Sequence, residues 1–212
     1  MNLPPKSGTI FIVDDDASFL KSVSRLLRAA GFSVQAFESA EQFLGQLAPG
    51  MSGCVLADLQ MPGLNGLELQ EALAKSANPL PVVFLSAQGD IPTTVQAMRR
   101  GAEDFLTKLS PKEKLLDAIG RALARGARER DERDRLRELR GRFDALTPRE
   151  LEVLEHVVRG RMNKEIADAL QIHERTVKLH RTNLTRRLQV QSVAELTRLV
   201  EEAGLFKRGK AE

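Results

Sequence analysis

The first 120 residues alternate short apolar runs with amphipathic stretches. The runs predict strands, and the apolar positions that recur every three to four residues between them predict helices. Strands separated by helices need crossover connections, which place helices on both faces of a parallel sheet. We therefore expect a five-stranded doubly wound α/β domain over residues 1–124. Its predicted strands are 9–13, 33–37, 53–57, 82–85 and 104–107, and its predicted helices are 17–30, 39–48, 66–77, 92–100 and one that begins at 111.

From residue 144 onward the pattern is helical. The segment Thr147-Pro148-Arg149-Glu150 supplies an N-cap hydroxyl, a proline at the first helical position and the glutamate of a capping box. Gly160 suits the end of this helix, and Asn163 and Ser192 suit the N-caps of two later helices. The pattern predicts an all-α domain over residues 144–212, with helices at 148–159, 164–170, 174–188 and 193–203.

Residues 125–143, between the two domains, contain few apolar side chains. Opposite charges four residues apart, such as Glu129 and Arg133, favour a solvated linker helix, which is our prediction. The alternative is a dimerising coiled coil of at most two heptads. Its a and d positions would be Leu136, Leu139, Phe143 and Leu146.

The formal net charge of +3 at pH 7 is unevenly distributed. Residues 1–120 carry 10 Lys or Arg and 13 Asp or Glu, whereas residues 121–145 carry 9 and 6, and residues 146–212 carry 13 and 10. A basic second half indicates contact with nucleic acid.

Cysteine content and hydropathy exclude several other classes. Cys54 is the only cysteine, so neither an internal disulfide nor a cysteine-built zinc site can form. No apolar run approaches the roughly 18 residues that a membrane span needs, and residues 1–8 lack the apolar stretch of a signal peptide. We expect a cytoplasmic protein that has no membrane partner.

Polar side chains follow four of the predicted strands, at the edge where a doubly wound sheet binds its ligand. Crowded carboxylates repel one another unless a divalent cation such as Mg²⁺ binds between them. With that cation and a lysine to neutralise charge, the same edge can accept a phosphoryl group, and Asp58 would be the nucleophile. The residues are Asp14, Asp15 and Asp16 after the first strand, Asp58 after the third, Ser86 after the fourth and Lys108 after the fifth.

The alternative is that each polar residue only caps a strand or a helix, as Asp16 would do for the helix at 17. Convergence of four strand ends favours the site. Neither common glycine-rich phosphate loop is present, which argues against a nucleotide-binding enzyme.

Several motifs resemble the receiver domain of two-component response regulators. They are Ile12-Val13-Asp14-Asp15-Asp16, Asp58-Leu59-Gln60-Met61-Pro62-Gly63, Ser86-Ala87 and Lys108, and the segment Gly89-Asp90-Ile91-Pro92 is similar to the FixJ subgroup. The resemblance implies that a sensor histidine kinase phosphorylates Asp58. It also implies that Asp14, Asp15, Asp58 and the Gln60 carbonyl bind Mg²⁺, that Ser86 bonds the phosphoryl group, and that Phe105 is an aromatic switch.

Leu109 departs from this pattern, because receivers usually have proline after the lysine, joined by a cis peptide. A cis bond before leucine would cost about 3 to 4 kcal/mol, so we expect a trans bond and a repositioned loop. Activation should then be slower or less tightly coupled than in a Lys-Pro receiver.

Residues 163–188 have the spacing of a helix-turn-helix, with the turn near 171–173. On its second helix Val177, Leu184 and Leu188 share one face and should pack inward. The other face can be a recognition surface for the DNA major groove or a plain solvated surface, and periodicity alone does not separate the two. That face carries Arg175, Lys178, Leu179, Thr182 and Arg186.

Motifs in the second half resemble the LuxR-type helix-turn-helix of NarL/FixJ regulators. They include Leu146 to Glu150, Asn163-Lys164-Glu165-Ile166-Ala167, Thr176-Val177-Lys178 and His180. The resemblance implies that the helix at 193–203 is a dimer contact. It places Lys178, Leu179 and Thr182 near base edges and Lys164, Arg175, Thr176, Arg181 and Arg186 near phosphates.

Together the two resemblances imply a transcription factor switched by phosphorylation rather than an enzyme. Its expected partners are the kinase, promoter DNA, RNA polymerase and, on phosphorylation, a second copy of the chain, with activation as the expected outcome. One rival is an aspartyl-phosphate hydrolase, although such enzymes usually carry an acid where Gln60 stands. Another is a constitutive DNA-binding protein whose receiver has lost its activity.

Overall fold

The computed structural model describes residues 8–87 and 91–206. It forms two compact units, Met1–Arg130 and Asp131–Glu212. Gly89 and Asp90 of the FixJ-like motif lie outside the described residues, as do the two ends of the chain, 1–7 and 207–212.

The first unit is a five-stranded parallel sheet in the order β2-β1-β3-β4-β5, in the described residues. This confirms the doubly wound fold that the sequence predicted. The strands are β1 (Thr9–Val13), β2 (Ser33–Phe37), β3 (Gly53–Asp58), β4 (Val82–Ser86) and β5 (Asp104–Thr107), and the helices are α1 (Ala17–Ala29), α2 (Ala40–Gly45), α3 (Gly66–Lys75), α4 (Ile91–Arg99) and α5 (Lys112–Asp144).

Alternate side chains of the strands feed a separate core on each face of the sheet. On one face Phe11 and Val55 pack with residues of α2, α3 and α4. On the other face Ile10 and Leu56 pack with residues of α1 and the first half of α5. The central strands are buried on both sides, which explains why they read as continuous apolar runs.

The register brings the strand ends that carry polar residues to one edge of the sheet. Val13 pairs with Ala57, Asp58 with Leu85, and Ser86 with Thr107. Helix α3 begins directly behind this edge at Gly66, where a Cβ atom would lie only 2.4 Å from the Asp58 carbonyl oxygen. Glycine therefore permits the close approach that keeps the loop after β3 short.

The second unit is helical. It contains the end of α5 together with α6 (Pro148–Val158), α7 (Asn163–Leu170), α8 (Glu174–Leu188) and α9 (Val193–Ala203). Thr147 and Glu150 form the predicted capping box, Ser192 caps α9 as predicted, and Gly160 follows α6 with a φ of 78°. The core draws on every helix.

Residues 131–143 of the predicted linker helix lie in the second compact unit, which begins at Asp131. Leu139, Phe143 and Leu146 are buried in the core of that unit. Arg140 also donates to the Ala203 carbonyl oxygen at 3.2 Å, and Arg135 forms an ion pair with Glu202. Three of the four side chains that would form the coiled-coil seam therefore pack within this unit instead.

Asn163 is not the N-cap of α7, contrary to the prediction. Met162 occupies that position, and its N–H donates to the Glu165 carboxylate at 2.6 Å. The Asn163 side chain instead accepts a hydrogen bond from Arg181 at 3.0 Å. Since Glu165 already satisfies a free donor at the helix start, the asparagine is free to bind across to α8.

Within the part of the chain that the structure describes, no helix has an apolar stretch long enough to cross a membrane.

Candidate functional site

Three carboxylates converge at the carboxyl edge of the sheet. Asp14 and Asp15 follow β1, and Asp58 is the last residue of β3. One oxygen from each lies within 4.8 Å of the others. Asp14 is 1% exposed, Asp58 is also buried, and Asp15 is exposed to solvent. The arrangement combines two fixed anionic groups with a third that remains accessible.

Asp16 has a different role from the three clustered carboxylates. Its carboxylate accepts the backbone N–H groups of Ser18 at 2.9 Å and Phe19 at 3.1 Å, so it is the N-cap of α1. The capping interpretation therefore holds for Asp16. Its own N–H donates to Asp14 at 3.0 Å and helps to fix that carboxylate.

Lys108 bridges the two buried carboxylates. Its Nζ lies 2.6 Å from Asp14 Oδ2 and 2.8 Å from Asp58 Oδ2. The same Nζ sits 4.4 Å from the centre of the Phe19 ring, which is a favourable cation–π position. One positive charge thus partly neutralises two negative charges.

The environment shifts the pKa of both Asp14 and Lys108. Burial raises the pKa of Asp14, and the contacts with Lys108 and the Asp16 N–H only partly offset that rise. Partial burial lowers the pKa of Lys108, but the contacts with Asp14 and Asp58 together raise it above its ordinary value. Lys108 therefore stays charged at neutral pH.

The loop after β5 keeps Lys108 within reach of the Asp14 and Asp58 carboxylates. The peptide bond between Lys108 and Leu109 is trans, and the Lys108 N–H donates to the Ser86 carbonyl oxygen at 2.8 Å. Leu109 is 92% exposed. A trans bond thus still allows the ammonium group to contact both acids, while the rate of activation stays a prediction.

Ser86 and Phe105 lie on neighbouring strands beside the carboxylates. Ser86 is buried at the end of β4. Phe105 lies on β5, is partly buried, and has its ring centre 6.1 Å from that of Phe84. Phe105 therefore lies on the side of the sheet that packs against α4.

Gln60 lies two residues after Asp58, in the loop of residues 59–65. Its N–H donates to Asp58 Oδ1 at 3.3 Å, so the loop and the carboxylate are directly joined. Leu59 and Met61 are buried in the core on the same side. The loop is therefore anchored at the acidic edge.

These residues fit a hard divalent cation. The donor set is three carboxylates of the kind that Mg²⁺ accepts while it retains several waters. Asp14, Asp15 and Asp58 would hold it, and the Gln60 carbonyl lies in the adjoining loop.

In the second unit, α7, a turn and α8 form the predicted helix-turn-helix. The turn begins at Gln171, which has a left-handed φ of 52°. Val177, Leu184 and Leu188 are buried in the core, as predicted. The opposite face is exposed, and Leu179 there is 59% exposed.

The residues that the resemblance placed on DNA are mostly exposed. Among them Thr182 donates to the Lys178 carbonyl oxygen at 3.1 Å, and Arg181 is held by Asn163. Exposed side chains in this set are Lys164, Arg175, Lys178, Leu179, Thr182 and Arg186, whereas Thr176 and Arg181 are half-buried.

Some contacting residues at these sites were not singled out from the sequence. Phe19 lies beside Lys108, and Glu41 contacts the loop after Asp58. Both come from helices remote in sequence from the group they touch, and helical periodicity carries no signal for such contacts.

Comparison with protein families gives two matches that together span most of the chain. Residues 10–120 match the response regulator receiver domain. Residues 144–200 match the bacterial regulatory proteins of the luxR family.

Relatives share both halves in one chain. The chain is 39% identical to the response regulator protein TodT of Pseudomonas putida over 94% of this chain and 88% of TodT. It is 37% identical to the transcriptional regulatory protein FixJ of Bradyrhizobium diazoefficiens, over 94% of this chain and 97% of FixJ.

Solved structures resemble the model over nearly its full length. The response regulator StyR has a TM-score of 0.79 and 46% identity, covering 92% of this chain and 98% of StyR. Full-length FixJ from B. japonicum has a TM-score of 0.56 and 35% identity, covering 95% of this chain and 99% of FixJ.

Proposed function

Because this chain belongs to the NarL/FixJ-type two-component response regulators, we propose that Asp58 accepts a phosphoryl group from a sensor histidine kinase. The chain is a transcription regulator with a receiver domain and a LuxR-type DNA-binding domain. The observation that carries the proposal is the convergence of Asp14, Asp15 and Asp58, with Lys108 paired to two of them.

The side chains at the acidic edge would have different roles in phosphoryl transfer. Asp58 is the nucleophile, and its carboxylate stands at the end of β3, at the acidic edge of the sheet. When bound, Mg²⁺ neutralises charge on the transferred group. Lys108 adds a second positive charge, already held within 2.8 Å of the Asp58 oxygen.

Phosphorylation then changes the packing beside the site. It converts the Asp58 carboxylate into an acyl phosphate with a charge of about −2, so the side chain gains about one negative charge. Ser86, at the end of the strand beside the one that carries Asp58, would bond the new group, and Phe105 would transmit the change to the α4 side. We assign the switch to these two residues.

DNA recognition belongs to α8. Lys178, Leu179 and Thr182 would meet base edges in the major groove, and Lys164, Arg175, Thr176, Arg181 and Arg186 would bind phosphates. Pairing of phosphorylated receivers, together with α9 as a second contact, would place two such helices on paired half-sites. We expect a cytoplasmic activator that acts on RNA polymerase at promoter DNA.

The test is covalent modification. The protein is incubated with Mg²⁺ and a small-molecule phosphodonor, and intact mass is recorded for wild type, Asp58→Asn and Asp16→Asn. One base-labile phosphoryl adduct is expected in wild type and Asp16→Asn and none in Asp58→Asn. An adduct that survives in Asp58→Asn would reject Asp58 as the acceptor, and steady turnover of a phosphomonoester would favour the hydrolase instead.

A further inference from the structure

We propose that Glu41, on helix α2, is a positioning residue for the loop of residues 59–65, and through it for the Asp58 carboxylate. The inference rests on the function proposed above. Glu41 acts from outside the site, because it touches neither Asp58 nor the carboxylates that would hold the cation.

A direct hydrogen bond joins α2 to this loop. The Leu64 N–H donates to Glu41 Oε1 at 2.8 Å, a contact between residues 23 positions apart. Glu41 lies in the first turn of α2, whose start is fixed by Ser39 accepting the Gln42 N–H at 3.1 Å. The carboxylate is thus presented to the loop from a capped helix.

Gly63 makes room for this contact. It has a φ of +75°, and a Cβ atom there would lie 2.4 Å from Glu41 Oε1. Only glycine adopts this conformation readily and leaves that space empty. The glycine at position 63 therefore allows the Glu41 carboxylate to approach the loop in this conformation.

The other backbone bonds of the loop tie it to its own neighbours in sequence. Gly66 donates to the Leu59 carbonyl oxygen at 3.0 Å, and Gln60 donates to Asp58 Oδ1 at 3.3 Å. These bonds close the loop, while its middle is held by the buried Met61 side chain and by the hydrogen bond from Leu64 to Glu41. Because Gln60 holds the Asp58 carboxylate directly, a displacement of the loop displaces that carboxylate.

The charge of Glu41 strengthens the contact. The pKa of Glu41 lies below its ordinary value because the N–H of Leu64, its own N–H and the Ser39 hydroxyl bind the carboxylate. An ionised acceptor forms a stronger hydrogen bond to a backbone N–H than a neutral one.

The experiment compares Glu41→Ala with Glu41→Gln, which keeps an acceptor oxygen, in the full chain. Glu71→Ala is the matched control, since Glu71 is an exposed helical glutamate of the same unit that pairs with Lys75 instead. Three quantities are measured: amide exchange at Leu64 by NMR, Mg²⁺ affinity by calorimetry, and the rate of phosphorylation by a small-molecule donor from intact mass.

In Glu41→Ala we expect faster Leu64 exchange, and a loss of Mg²⁺ affinity and of phosphorylation rate of roughly 3- to 10-fold. That is less than the 10- to 100-fold typical when a group bonded directly to a metal ligand is removed. Glu41→Gln and Glu71→Ala should stay within about twofold of wild type, while Gly63→Ala, which presses on the same carboxylate, should resemble Glu41→Ala.

Faster Leu64 exchange in Glu41→Ala with unchanged Mg²⁺ affinity and phosphorylation would overturn the inference. So would a Glu41→Gln variant as impaired as Glu41→Ala. Failure of the proposed function itself has a different signature, namely wild-type protein that takes up neither Mg²⁺ nor a phosphoryl group.

Discussion

Lys108 and Leu109 are adjacent in sequence, but their side chains lie in opposite environments. Lys108 is turned inward, between Asp14, Asp58 and the Phe19 ring, while Leu109 presents an apolar side chain almost wholly to water. The lysine contact shows that a trans peptide is compatible with charge neutralisation. We therefore expect the residue after the lysine to affect how the loop responds to phosphorylation rather than whether Lys108 reaches the carboxylates.

We predict that Leu109→Pro speeds phosphorylation or couples it more tightly to dimerisation. Proline fixes its own φ and restricts the residue before it, so the loop has fewer conformations to lose on activation. The measurement is the phosphorylation rate from intact mass together with the dimer fraction from sedimentation. Unchanged values of both would show that the residue after Lys108 has no part in switching.

Glu150 makes the second unit sensitive to acid. It is 3% exposed, and burial raises the pKa of its carboxyl group. The Thr147 N–H at 2.9 Å, the Thr147 hydroxyl at 3.0 Å and the charge of Arg187 at 3.4 Å lower the pKa by more, so it lies below its ordinary value. A depressed folded-state pKa stabilises the fold above the unfolded-state pKa of about 4.3.

We therefore predict that this stabilisation is complete at neutral pH and is lost as the pH falls below about 4.3 toward the folded-state pKa. Glu150→Gln should cost about 1 to 2 kcal/mol at pH 7 and progressively less in acid. Hydrogen exchange of α6 amides at several pH values measures it. The control is Glu155→Gln on the exposed side of α6, and an equal pH dependence in both variants would reject the assignment.

At the scale of elements, α5 packs differently along its length. Its first half contributes Leu115 and Ile119 to the core of the first unit, and its last turns contribute Leu139 and Phe143 to the core of the second. The charged stretch between them has surface ion pairs such as Arg125 with Glu129. One helix therefore belongs structurally to both units.

We predict that Phe143→Ala destabilises the second unit by about 3 to 5 kcal/mol, because it empties a fully buried position. Leu136→Ala, at the partly exposed position of the same apolar series, should cost much less. Hydrogen exchange of α6 and α8 amides gives both values. Loss of dimers with little loss of stability in Phe143→Ala would support the coiled coil instead.

The exposed face of α8 should divide into base-reading and phosphate-binding residues. We predict that Lys178→Ala costs about 1 to 3 kcal/mol on a selected operator and relaxes preference at one position. Arg175→Ala should weaken binding to all sequences alike and reduce the salt slope by about 1. Titrations of selected and scrambled DNA at several salt concentrations measure both effects.

Arg159→Ala is the control for these titrations, since Arg159 is exposed at the C-cap of α6 and pairs with Glu155. A uniform loss in Lys178→Ala, equal on selected and scrambled DNA, would contradict its assignment to a base edge.

Strands and helices could be predicted where a periodic pattern is compatible with only one structure. Alternation with helices identified all five strands, and Val177, Leu184 and Leu188 identified the buried face of α8. The series Leu136 to Leu146 has the same spacing whether it packs within a unit or between two chains, so the sequence could not decide. The convergence of the acids followed from strand ends, but the Glu41 and Phe19 contacts depend on how helices pack, which local pattern does not encode.

At the scale of the whole molecule, the two units differ in charge and in chemistry: residues 1–130 carry no formal net charge, whereas residues 131–212 carry +3. The first has the carboxylates and lysine suited to phosphoryl transfer, and the second has an exposed helix face suited to DNA. We expect phosphorylation of the first unit to change DNA binding by the second.

Coupling between phosphorylation of Asp58 and DNA binding can be measured in a single experiment. Sedimentation and operator affinity are recorded for wild type and Asp58→Asn, each with Mg²⁺, with and without phosphodonor. We expect a monomer-to-dimer shift and a gain in operator affinity that need both the donor and Asp58. Equal affinity and assembly in all four samples would contradict this expectation and indicate constitutive DNA binding.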